Sequence, residues 1–288
     1  MMPRTTQVSL ISGARVAPGR PRDWSVVLSA VFLLLVAIAA AASPFLTRAA
    51  SRQSILDSLL PPGSPGHLLG TDELGRDVLL LTIAGTGSAV AGPLVIAAGS
   101  MVLAVVIGTL AGYLRGPVDW VVGRVVDILL SLPVMLVAIV VAGIFGAGYW
   151  VTVLMLIALF CPSDIRIIRA GVTEQAPRPY VGAAQMLSLS PARIMYRHIV
   201  PNVWPLIMTN FMLNLAIALV TLSSLSFLGI GVAPGTADWG RQITDGRGVI
   251  GDNPAMLLVP AILIVLVAMA INVLGDHLGE RLRERGMQ

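Results

Sequence analysis

The residues able to do covalent or metal chemistry in this 288-residue chain are few and scattered. All 19 basic residues are arginine, and the lack of lysine excludes both a Walker A phosphate loop and a Schiff-base mechanism, which use the amine itself. The single cysteine, Cys161, forbids an internal disulfide and leaves no metal quartet. His67, His198 and His277 stand far apart, with no H-x₃-H or H-E-x-x-H spacing. No nucleophile, base and orienting group are grouped as an intramembrane protease or acyltransferase requires. What remains is polar recognition, and its main candidate is the stretch 166–202, which carries Arg166, Arg169, Arg178, Arg193 and Arg197.

The elements that must position this stretch are apolar. The chain is 56 % hydrophobic and 12 % charged, with a mean hydropathy of +0.86. Soluble domains run at roughly 45–50 % apolar and about 25 % charged. An all-α membrane protein follows, with six spans expected at 24–46, 86–113, 125–145, 149–165, 199–222 and 255–275. Residues 24–46 carry no charge over about 34 Å of helix, and an apolar run of that length favours an uncleaved anchor over a signal peptide. Pro133 is expected to kink the third span and Pro162 to interrupt the fourth. The polar tails are 1–23 and 276–288, and the longer loops are 47–85, 166–202 and 223–254.

With both termini inside, 14 of the 19 arginines fall on the inner side, so the positive-inside rule places both termini and 166–202 in the cytoplasm. The formal charge of +4 therefore reflects topology, and the arginines form no basic stripe for nucleic acid. No ionisable residue lies at the centre of a span as drawn, which disfavours a proton- or sodium-coupled carrier and leaves a channel as an alternative.

Within 166–202 the pattern is two short helices with a break between them. Tyr180 to Leu187 is rich in Ala, Met and Leu, while Ser190 and Pro191 make a helix start, serine as cap and proline at the first position. Arg193 and Arg197 share a face at i,i+4. Met186, Leu187, Leu189 and Met195 are unusually apolar for a free loop, which suits docking to a protein or packing under the chain's own helices. In the fifth span Asn210 and Asn214 share one face, open to interhelical hydrogen bonding or to contact with a solute, with Met208 and Met212 nearby as packing or a soft gate. In loop 47–85, Thr71 or Asp72 is placed to cap a short helix, with Asp72 and Arg76 spaced for an ion pair.

These stretches resemble a known family. Gly182, Ala183 and Ala184, with Ser188 four positions on and Pro201 thirteen beyond, fall at the spacing of the EAA signature of ABC importer permeases. Tyr180 and Val181 before it, and Arg197 to Asn202 after it, look like the peptide-transporter branch. Leu69 to Asp77 resembles that branch's entry motif, and Leu225 to Gly231 with Asp238, Trp239 and Gly240 resembles its last exported loop. Gly112 with Tyr113, Arg124 to Asp127, and Asn272 to Asp276 fit as well.

The resemblance implies a C-type transmembrane subunit of the dipeptide, oligopeptide and nickel importers, of type I architecture, in a bacterial plasma membrane. It implies a homologous B-type permease, two cytoplasmic ATPase subunits holding ATP and magnesium, and an extracytoplasmic substrate-binding protein as partners, with no cofactor in this chain. Residues Tyr180, Gly182, Ala183, Ala184, Met186, Leu187, Ser188, Arg193 and Arg197 become the ATPase-coupling set. Asp72, Arg76, Asp77 and Trp239 become features of the exported loops. Peptide is favoured over nickel chelates or other small solutes. Two positions depart from the signature: Gly182 stands where Glu is expected and Ser188 where Gly is expected, which implies weaker or asymmetric coupling.

Overall fold

The computed structural model describes residues 23–145 and 148–286, and among them regular structure is helical, with two isolated bridges in the loops. The expected N-terminal tail, and the turn at 146–147, lie outside the described residues. Among the described residues five helices are long and apolar enough to cross a bilayer, or six if one bent pair counts as a single span.

The first of these, α1 (Asp23–Ala50), exposes apolar side chains along most of its length and leans on α2 and α10. The central helix is α2 (Val78–Leu114), which packs on α1, α5 and α8. It begins at Val78 and not at residue 86 as hydropathy suggested. Asp77 supplies the start, its carboxylate accepting from Leu80 N at 2.9 Å, and Val78 and Leu81 are buried at once.

Arg115, at φ 55°, breaks the chain into α3 (Gly116–Leu130), and α4 (Val134–Phe145) follows at an 84° bend. The expected kink at Pro133 is therefore a full break. Proline lacks the N–H and disfavours helical backbone at Leu132 before it, while Ser131 closes α3 by bonding Ile128 O at 2.7 Å. By contrast α5 (Tyr149–Gln175) runs straight through Pro162, ten residues past the expected end of that span. Its extension meets α2 where Ala104, Gly108 and Gly112 leave no side-chain bulk. A Cβ on Gly108 would lie 3.1 Å from Ile165 O, and one on Gly112 would lie 2.9 Å from Arg169 O. Small residues at this spacing let helices approach backbone to backbone in lipid.

After α6 (Pro179–Met186) come α7 (Pro191–Ile194), a π-turn (Met195–Ile199) and α8 (Val200–Phe227), which together form one 37-residue apolar helix. The expected loop 166–202 is thereby reduced to a short connection carrying α6. A further helix, α9 (Trp239–Gly246), sits in the expected loop 223–254, and α10 (Ala255–Gly286) continues through the expected tail.

The loop before α2 and the region of α9 lock together. The Asp72 carboxylate accepts from Leu74 N at 3.0 Å and Arg76 N at 2.7 Å, so a tight turn replaces the short helix expected there. Its other oxygen takes Arg76 Nε at 2.6 Å, and Arg76 Nη1 crosses to Gly235 O at 2.8 Å. Asn253 Nδ2 donates to Leu69 O at 2.9 Å and Thr71 O at 3.1 Å. Trp239 Nε1 donates to Thr82 O at 2.9 Å, and Asp77 also receives His67 Nδ1 at 2.7 Å. The Asp72–Arg76 pair is buried, so removing one partner strands the other charge. Arg76→Met is expected to destabilise the chain by roughly 3–5 kcal/mol. Adding Asp72→Asn, which keeps the turn's acceptor and removes the charge, is expected to recover most of that in thermal unfolding of the detergent-purified protein.

Candidate functional site

The connection between α5 and α7 is built from two helix ends and one exposed knuckle. Arg166 and Arg169, expected in a free loop, belong to α5. Arg166 pairs with Asp127, and Arg169 grips Asp119 through two contacts, one at 2.8 Å, so both tie α5 to α3. Arg178 pairs with Glu174 at 3.4 Å on the surface, a pair worth little.

Helix α6 starts with Pro179 at its first position and is rooted by Val181 and Ala184, which pack with Ile168, Val172, Ile194 and Ile199. Tyr180 is half-buried, its hydroxyl donating to Gln175 Oε1 at 3.1 Å. Burial raises its phenol above the usual range, outweighing the nearby Arg178. Gly182 and Ala183 face outward, and a Cβ on Gly182 would meet nothing within 4 Å. Met186 and Leu187 project from the end of the helix, 90 % and 74 % exposed.

The helix ends in a Schellman motif. Leu189 N donates to Ala184 O at 3.3 Å and Ser188 N to Gln185 O at 2.9 Å, with Ser188 at φ 55° in the left-handed position that glycine usually fills. Holding serine there costs roughly 1–2 kcal/mol. Leu189 folds back onto the core, and Ser190 caps α7, its Oγ accepting from Arg193 N at 3.4 Å. The π-turn then rotates the helix so that Ile194, Met195 and Ile199 are buried while Arg193, Tyr196 and Arg197 face out. The apolar set expected as one patch is thus divided. Met186 and Leu187 point outward, Met195 is core, and Leu189 is partly buried.

The second candidate set divides as well. Met208 packs into the core of α5, α6 and α8, and Met212 borders an apolar cavity of about 220 Å³ among α1, α2, α8 and α10. Asn210 and Asn214 are buried and both donate to Asp164 Oδ1, Asn210 at 2.7 Å, so they make interhelical hydrogen bonds. Asp164 itself is fully buried within α5, which overturns the expectation that the interiors of the spans carry no ionisable group. It was missed because Pro162 made residues 149–165 look like a complete span, placing Asp164 at its end. The available signal was the asparagine pair one helical turn apart, which calls for a polar partner on a facing helix.

Residues 104–284 match the family described as binding-protein-dependent transport system inner membrane component. The chain is similar to the dipeptide transport system permease protein of Haemophilus influenzae, 30 % identical over 88 % of each chain. It is also similar to the glutathione transport system permease protein of Pectobacterium atrosepticum, 32 % identical over 87 % of this chain and 83 % of that one. A putative peptide transport system permease protein of Brucella abortus is 32 % identical over 92 % of this chain and 89 % of that one. The fold is similar to that in an inward-facing structure of the MetNI methionine ABC transporter, with a TM-score of 0.59 at 18 % identity, covering 71 % of this chain and 97 % of that one. The multi-pass helical bundle and the family match over most of it lead to one conclusion: this chain belongs to the inner membrane permease components of binding-protein-dependent ABC transport systems.

Proposed function

We propose that this permease subunit serves an importer of dipeptides or oligopeptides, and that the α6 knuckle is where a cytoplasmic ATPase docks. The observation that carries the docking reading is the pair Met186 and Leu187, almost fully exposed on a helix whose other side is rooted in the core by Val181 and Ala184. Arg178 at the start of α6, and Arg193 and Arg197 beyond its end, are exposed as well. An exposed apolar tip on an arginine-bearing segment fits an apolar groove with an acidic rim. The peptide reading draws its support from the dipeptide, glutathione and putative peptide permeases that this chain resembles.

In this reading the termini and α6 lie in the cytoplasm, supported by the excess of arginine on that side. The complete importer pairs this chain with a second, homologous permease, two ATPase subunits that hold ATP and magnesium, and an external binding protein. The locked loops bearing Asp72, Arg76, Asp77 and Trp239 face that binding protein, at the other end of α2 from α6. A stroke of the ATPase pair on α6 is passed to α5 and α8, the two long helices flanking it.

Two substitutions test the knuckle. Met186→Asp with Leu187→Asp leaves the rooted face untouched and is expected to weaken ATPase association on the order of tenfold or more, the usual scale for losing an interface anchor. Undiminished co-purification of the ATPase with the double variant would sink the docking reading. Gly182→Glu fits the open space at that position, gains roughly 0.5 kcal/mol of helix propensity and supplies a carboxylate. It is expected to raise substrate-stimulated ATP hydrolysis severalfold; an unchanged rate would show that Gly182 does not limit coupling.

A further inference from the structure

The helices that lead into and out of the docking segment, α5 and α8, meet at a polar junction deep in the bundle. Asp164 of α5 is wholly buried, and its Oδ1 accepts from the side-chain amides of Asn210 and Asn214 on α8. A carbonyl oxygen has two lone pairs, so this oxygen is saturated by the two amides. Its other oxygen, Oδ2, is buried without a hydrogen-bond partner. Beside the carboxyl lies Ser100 of α2, itself fully buried, whose hydroxyl donates to Ala97 O at 3.3 Å.

Ser100 is thus a buried hydroxyl beside a carboxyl whose Oδ2 receives no donor among the described residues. With the serine hydroxyl donating to Ala97 O, a hydrogen bond between the serine and the carboxyl takes its proton from the acid. Nor does a cation compensate a carboxylate at this point. Arg166 and Arg169, further along α5, are committed to Asp127 and Asp119 of α3. Ser100 faces the junction from α2 and the two asparagines from α8, all uncharged. Cys161 on α5 is the one titratable neighbour identified among the described residues, and a cysteine carries no positive charge in either form. A full negative charge here would lose its hydration for two amide donors, which do not return that cost.

We propose that Asp164 is a neutral carboxylic acid, donating from Oδ2 to Ser100 and accepting at Oδ1 from Asn210 and Asn214, and that this three-helix junction makes α5 and α8 move as one body. Asp164 is then a positioning residue for coupling, remote from α6 and acting through the two helices that carry it. The mechanical half of the inference rests on the docking reading above. The protonation half stands on the junction alone.

The test has two arms. Infrared spectra of the full-length chain in lipid at neutral pH are expected to contain the carbonyl stretch of one protonated carboxyl that is absent in Asp164→Asn. In Asn214→Ala that stretch is expected to move to higher frequency, because one donor to the carbonyl is gone. Spectra of Asp164→Asn that lose no such band would overturn the assignment.

In the assembled importer, Asp164→Asn keeps every bond, since its amide N–H₂ donates to Ser100 and its carbonyl accepts from the asparagines. Its transport per ATP is expected to stay within about twofold of the parent, the scale of a neutral substitution. Asp164→Leu and Asn214→Ala are expected to lower that ratio, the former on the order of tenfold. An asparagine variant as impaired as the leucine variant, or a leucine variant with an unchanged ratio, would contradict the proposal. If the leucine variant fails to assemble, Asn214→Ala and the infrared arm decide. Should the parent chain bind no ATPase at all, the docking reading fails, and the spectra still judge the neutral acid.

Discussion

The structure depends on the approach of α2 to α5 along Ala104, Gly108 and Gly112. Two apolar helices gain little by hiding apolar surface from lipid tails, so their association rests on close packing and on polar contacts. Here the carbonyls of Ile165 and Arg169 lie so near α2 that a methyl group on either glycine would crowd them. That contact fixes how α5 is rotated about its axis. With the rotation set, Asp164 points inward to Ser100 and the asparagines, while Arg166 and Arg169 point to the acids of α3. Ile168 and Val172 on the same stretch build the core that roots α6. The position of the knuckle is thus a consequence of two glycines on another helix.

Ser188 shows a different kind of constraint. The Schellman motif requires a left-handed residue after α6, and nearly every fold would place glycine there. Serine holds that backbone only because both ends of the turn are secured, Leu189 by the core and Ser190 by its cap on α7. The same turn leaves Met186 and Leu187 in solvent, against the hydrophobic preference of both. Local strain beside exposed apolar surface is a poor arrangement for an isolated chain. It becomes reasonable where a second protein covers the tip and adds its own contacts to hold the turn.

The legible part of this fold was what composition and spacing control. Apolar runs gave the approximate positions of the five long spans, the remaining expected span proving a pair bent by 84°, and the Ser190-Pro191 start and the Asp72–Arg76 pair were readable from local chemistry alone. The helix ends were not, because hydropathy stops where charge begins and helices do not. Charge alone marks Arg166 and Arg169 as loop residues, since nothing local reveals Asp127 and Asp119 waiting on α3. Pro133 and Pro162 look alike in sequence, yet one breaks its helix and the other is carried through. Tertiary packing separates them: α5 is held against α2 on both sides of Pro162, while few buried groups hold α3 and α4 in line. In the candidate segment the sequence marks the two short helices and the break between them, but not the division into rooted and exposed faces, since the π-turn shifts the helical register without any sequence mark.

The two ends of α2 also differ in a way that bears on motion. At its start, Asp72, Arg76, Trp239, Gln242 and Asn253 are buried and bonded across distant segments, a network that loses several hydrogen bonds if any part shifts. At its far end the contacts to α6 are mainly apolar packing, with Gln185 Nε2 reaching the Tyr113 hydroxyl at a long 3.4 Å. Apolar packing can slide by small steps at little cost, whereas a bonded network either holds or breaks. Displacement applied at α6 therefore finds a compliant base and a stiff far end. The helices between must bend, tilt or turn as units, and the polar junction at Asp164 is what prevents α5 and α8 from answering separately.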